Sequence, residues 1–136
     1  MSDINIPITP LTHMRLPTEL QGPKVYLDEK LGQVLSGDIE VTIGKNTILA
    51  DVSNAGRADL LLMQNQIDNG ATSVTWYQST GSVILTPAQF KTVVDAVSNY
   101  VTLAMSAWQT ASDGIKAGTI TTIAQIQSIQ WPSRLY

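Results

Sequence analysis

A single histidine, no cysteine and eleven carboxylates are the side chains from which this 136-residue chain could build a reactive site. His13 stands in a proline-rich stretch with neither an acid nor a second ligand beside it, so a metal centre or a general base there would lack the partners it needs. Asp28, Glu29, Asp38 and Glu40 are close enough in sequence to raise the question of a divalent-cation or paired-carboxylate site. The pair Glu29-Lys30 and the turn at Gly37-Asp38 give them a plainer reading as solvated loop positions. There is no Gly-rich phosphate loop, no serine nucleophile elbow and no spaced set of His and Cys ligands. These residues predict no enzyme, no catalytic or metal site and no cofactor.

Trp76 and Tyr77 offer a different chemistry, because aromatic rings beside a turn stack on sugars or anchor a partner surface. Side chains alternate along a strand, so only one of the two faces the core; we expect Trp76 inward and Tyr77 outward as a possible receptor contact. The strand that carries them, Ser73 to Tyr77, pairs with Ser82 to Leu85 as a hairpin across a short polar loop.

The elements around that hairpin follow from local signals. Asn54 to Asp68 reads as a helix, with Leu60, Met63 and Ile67 on one face, Leu61 and Leu62 widening it, and Asn69-Gly70 closing it. Thr86-Pro87-Ala88-Gln89 marks a second helix start, with Thr86 as N-cap, Pro87 at the first helical position and Gln89 completing a capping box. That helix should run from Pro87 to about Lys116, roughly 45 Å at 1.5 Å per residue. A short helix from about Thr121 to Ile129 ends before Pro132. Residues 24–50 read as short β segments, Val25 to Leu27, Gln33 to Leu35, Ile39 to Ile43 and Thr47 to Leu49, with turns at Gly32, Gly37 and Gly44.

Two stretches point to contacts with other chains. Residues 1–23 hold four prolines among Ile4, Ile6, Ile8, Leu11, Met14, Leu16 and Leu20, which suits an extended docking arm that lies on its own domain or on a neighbouring subunit. Along the long helix, Phe90, Val94, Val97, Val101, Ala104, Trp108, Ala111 and Ile115 alternate steps of four and three, a heptad seam. The first helix and the hairpin can cover part of this seam, but a helix of about 14 residues spans only about 21 Å. The rest must be met by the short final helix, the N-terminal arm or the same helix of another copy.

Composition agrees with an assembly part. The charged fraction is 14%, against roughly 25% in an average soluble domain, so few charges hold neighbours apart. A net charge of -3 with scattered Lys and Arg gives no footprint for nucleic acid. No run approaches a membrane span, and the start has no signal-peptide pattern.

Over about residues 47 to 132 the chain resembles an uncharacterised domain that recurs at the C-termini of tailed-bacteriophage tail-fibre and tail-associated proteins. The likeness lies in the hairpin Val74-Thr75-Trp76-Tyr77, the junction Val83-Ile84-Leu85-Thr86-Pro87-Ala88-Gln89, and the closing Ile129-Gln130-Trp131-Pro132. It brings no functional residues, since that family has no defined active site. It implies a virion setting, for a chain made in the bacterial host cytoplasm.

The expectation is therefore an α+β fold in which short antiparallel strands and a β-hairpin pack with one short, one long and one terminal short helix, after an N-terminal arm. Its units would be 1–23, 24–50 and 51–136. The expected role is a structural part of a phage tail or baseplate, associated with the fibre and attached through the arm to other tail proteins, as a homo-oligomer with a trimer favoured. A receptor-binding tip and a fibre-assembly chaperone are the alternatives.

Overall fold

A computed structural model describes residues 22–136, and the fold within them is mixed α+β. Eight elements follow in order: helix α1 (Pro23–Val34), strands β1 (Asp38–Ile43) and β2 (Asn46–Asp51), helix α2 (Asn54–Asp68), strands β3 (Val74–Gln78) and β4 (Gly81–Leu85), and helices α3 (Pro87–Ala117) and α4 (Ile123–Gln127). The strands form two separate antiparallel pairs, β1 with β2 and β3 with β4. The expected arm, with Ile4, Ile6, Ile8, Leu11, Met14, Leu16 and Leu20, lies outside the described residues except for its last two positions.

α1 corrects the reading of residues 24–50 as wholly β, because Val25 to Leu27 and Gln33 to Leu35 belong to one helical segment and its C-cap rather than to strands. Pro23 occupies the first turn, where its missing N–H costs nothing, and Leu27, Leu31 and Val34 recur at helical spacing on one side. Leu27 and Val34 are buried and Leu31 is half-buried. Gly32, taken for a turn, is simply tolerated inside the helix: a methyl group there would meet nothing within 4 Å. Gly32→Ala is accordingly expected to stabilise the fold by about 0.5–1 kcal/mol, because alanine loses less backbone freedom on entering a helix. Urea denaturation checks this; a variant less stable than the parent would contradict the open environment of Gly32.

β1 alternates as the sequence does, with Ile39, Val41 and Ile43 buried and the residues between them exposed. Gly44, at φ 60°, supplies the left-handed position of the turn into β2. α2 begins at Ser53, whose hydroxyl accepts from the Gly56 N–H at 3.3 Å, and ends at Asn69. α3 begins with the capping box read from Thr86 and Gln89, and ends where Gly118, at φ 81°, takes the left-handed conformation. α4 is shorter than expected, and Thr122 and Gln125 form its own capping box.

The main core joins β1 and β2 to β3, β4, α2 and the first half of α3, around Ile39, Ile48, Val52, Leu85, Phe90 and Tyr100. A smaller core of Leu27, Ala111 and Ile126 ties α1 and α4 to the second half of α3. Full burial of side chains of this size stabilises by about 1.5–3 kcal/mol each before chain entropy is counted.

The last residues run parallel to the outer edge of β1. The Glu40 N–H donates to the Arg134 carbonyl at 2.7 Å, the Tyr136 N–H to the Glu40 carbonyl at 2.8 Å, and the Thr42 N–H to the Tyr136 carbonyl at 3.0 Å. Arg134 uses its guanidinium to close the end of α1, donating to the carbonyls of Gln33 (3.2 Å), Val34 (3.1 Å) and Asp38 (3.1 Å). The Val34 carbonyl also accepts from the Tyr100 hydroxyl at 2.7 Å, and the guanidinium lies 5.3 Å from the centroid of the Tyr100 ring.

Candidate interaction surface

The hairpin β3–β4 is held to the first sheet by side chains, and that anchoring decides which residues it presents. The Trp76 indole N–H donates to the Leu49 carbonyl at 3.3 Å. The Gln78 amide accepts from the Leu49 N–H and donates to the Thr47 carbonyl, both at 2.9 Å. Trp76 and Gln78 therefore occupy the edge of β2 and leave Tyr77, between them, to face outward. Trp76 is buried, and Tyr77 is 79% exposed, as expected. Ile84, paired with Thr75, shares the outer face two register steps along from the Tyr77–Ser82 pair, and is 70% exposed.

Beside Tyr77 runs a groove of about 320 Å³ lined by Asp38, Asp51, Asp59 and Met63 together with Trp76 and Gln78. Asp51 is committed locally, accepting from the Ser53 N–H and hydroxyl at 2.9 Å each. An aromatic ring next to several carboxylates can stack on a sugar ring while the oxygens accept from its hydroxyls, or hold a Lys or Arg side chain. Asp51 and Asp59 come from elements distant from Tyr77 in sequence, so no linear motif announced the groove.

The other acids singled out from the sequence are dispersed. Asp28 accepts from the Lys24 ammonium and from the Trp108 indole N–H, each at 2.9 Å, while Lys24 lies 4.2 Å from the centroid of the Trp108 ring. Glu40 is exposed on β1 beside the C-terminal segment. Among the described residues no group of three or more His, Cys, Asp or Glu side chains is placed to hold a metal ion. His13 lies outside them.

The hydrogen bond from Lys24, followed by that from Trp108, holds the Asp28 carboxyl below the usual carboxylate range, against a small opposing effect of burial. A lowered folded-state pKa gives stability that is present above about pH 4 and is lost as pH falls through the folded value. Asp28 is half exposed, so its share is about 1 kcal/mol or less. Asp28→Asn should therefore lower the unfolding midpoint more at pH 7 than at pH 3. Equal losses at both pH values would exclude the ionised pair as the cause.

The heptad seam is partly covered by its own chain. Phe90, Val97, Ala104 and Ala111 are buried, and Val94, Val101, Trp108 and Ile115 are half-buried. The element that supplies the missing cover is α1, packed along the second half of α3. The inward stripe is also wider than a seam, since Val93, Ala96 and Tyr100 are buried beside it. Much of the stripe expected to form an oligomer axis thus packs within one chain, while Val94, Val97 and Val101 also line a groove beside Leu60 and Leu61 of α2. Leu61 and Leu62, expected to broaden the inner face of α2, are instead 68% and 63% exposed.

No helix among the described residues is long and apolar enough to cross a membrane. No family model, curated protein or solved structure matches the chain.

Proposed function

We propose that the chain is a non-enzymatic structural component of a bacteriophage tail or baseplate, associated with the tail fibre, and that it attaches through residues 1–23 to a neighbouring tail protein. The observation that carries the interaction role is the exposure of Tyr77 and Ile84 on one face of the hairpin, and of Leu61 and Leu62 on α2. Large apolar side chains standing outward in groups mark surfaces that partners cover. The low charge of the chain and the resemblance of residues 47 to 132 to tail-associated domains support the tail setting. The driving force is burial of apolar surface, at roughly 25 cal/mol per Å² before the costs of association.

Mass spectrometry of purified tailed particles tests the setting: the chain should be present at a fixed ratio to the other tail proteins. Its presence during assembly and absence from finished particles would identify an assembly chaperone instead. Removing residues 1–22 should abolish attachment while the circular dichroism of the remainder is preserved; attachment that survives would exclude the arm as the docking element.

The exposed Tyr77 ring beside the acidic groove favours one further reading, a receptor-binding tip for a host glycan or protein. A glycan array probed with the parent and with Tyr77→Ala separates the two, because a purely structural part retains no glycan in either form.

A further inference from the structure

Of the strand edges in the described residues, two lack a hydrogen-bonded partner, the outer edges of β3 and β4. The outer edge of β1 is paired with the C-terminal segment, and Trp76 and Gln78 occupy the edge of β2. The outer side of β3 borders the groove whose far wall is α2. β4 has no backbone partner among the described residues other than β3. Its sequence, Gly81-Ser82-Val83-Ile84-Leu85, has none of the lysines or prolines that usually blunt an exposed edge. Ile84 stands outward on it.

The chain contains a segment patterned to fill such an edge. Ile4, Ile6 and Ile8 alternate with Asn5, Pro7 and Thr9, the two-residue period of a strand with one apolar face. Backbone groups of alternate residues in a strand point to opposite sides. In such a strand Ile4, Ile6 and Ile8 would present complete donors and acceptors to one side, with Pro7, which has no N–H, on the other. Such a strand can join an edge and then prevents a further strand from joining it. Pro10 ends the run.

Geometry favours a second copy as the edge that receives it. The described chain begins at Gly22, beside Lys24 and Trp108, whereas β4 adjoins the start of α3. Trp108 and Thr86 are about 33 Å apart along α3 at 1.5 Å per residue. Residues 9–21 reach about 43–47 Å when fully extended. Within one chain the tether would have to cover that distance at about three quarters of its full extension, past a helix already flanked by α1 and α2; a neighbouring copy can be approached without that detour.

We infer that residues 4–8 of one copy add as a strand to the outer edge of β4 in another, with the three isoleucines joining Tyr77 and Ile84 in one apolar face. This inference rests on the reading of residues 1–23 as a docking arm and specifies its partner as a second copy of the chain. The contact is between unlike surfaces, so it closes as a reciprocal pair or a ring, or continues as a filament.

Light scattering on a sizing column tests it with two variants of the full chain, Ile6→Lys and Ile84→Lys. The second alters a side chain already in solvent, and circular dichroism checks that both remain folded. The parent should elute at two or more times 14.7 kDa, and each variant alone at the single-chain mass. Mixed in equal amounts, the variants should recover a species of twice that mass, because one retains a sound arm and the other a sound edge. A monomeric parent, or variants that stay associated, would overturn the inference. A monomer that is still found in tail particles would overturn the self-association and leave the structural role standing.

Discussion

Gly56→Ala is expected to destabilise the fold by about 3 kcal/mol, at the upper end of what an overpacked site costs. A methyl group at Gly56 would collide with the Asp51 carbonyl oxygen and would lie 2.7 Å from the Asp51 Cβ and 2.8 Å from its carbonyl carbon. Neither side can yield cheaply. Asp51 ends β2 and holds Ser53 through two hydrogen bonds, and Ser53 in turn caps α2 at the Gly56 N–H. The same substitution at Gly32 should act in the opposite direction, so the pair makes an internally controlled comparison in urea. A Gly56→Ala variant as stable as the parent would mean that the start of α2 does not approach β2 so closely.

The second large effect is expected from Arg134→Ala, about 2–3 kcal/mol. The change removes three charge-assisted hydrogen bonds to carbonyls at the end of α1 and the start of β1. It also removes the cation beside the Tyr100 ring. The Tyr100 phenol is raised above its ordinary value near 10, chiefly by burial, and the Arg134 charge partly offsets that rise. A raised phenol pKa contributes stability in full below about pH 10, and that stability is lost as pH climbs through the folded value. Alkaline absorbance titration should show one of the four tyrosines ionising late, and later still in folded Arg134→Ala. A variant that loses stability without that shift would place the role of Arg134 in the carbonyl contacts alone.

What the sequence disclosed and what it hid divide according to the distance between partners. Thr86, Pro87 and Gln89 marked the start of α3 because capping groups act on backbone within three residues. The end of α2 was legible in the same way at Asn69-Gly70, whereas nothing in the sequence singled out Ser53 over its neighbours as the cap at its start. α1 was missed because Val25 and Gly32 break up a short pattern that becomes helical only against α3. Tyr100 fell outside the inferred seam because a strict step of four and three passes through Val94 and Val101, whereas a helix buried against several elements turns a broader face inward. Arg134 carried no local signal at all: its acceptors are 96 to 101 residues away. The groove beside Tyr77 was hidden likewise, assembled from β1, β2, α2 and β3.

The junction between β4 and α3 has a mechanical consequence. Thr86 alone separates strand from helix, Pro87 fixes the next backbone angle, and the two bonds of the capping box clamp the turn at 3.0 and 3.1 Å. The turn is held on both sides, so a pull on the hairpin passes into a rod of 31 residues, about 46 Å long. Towards its far end that rod is gripped by α1 through Trp108 and Asp28. A load on the hairpin would therefore divide between this rod and β2, to which Trp76 and Gln78 tie the hairpin.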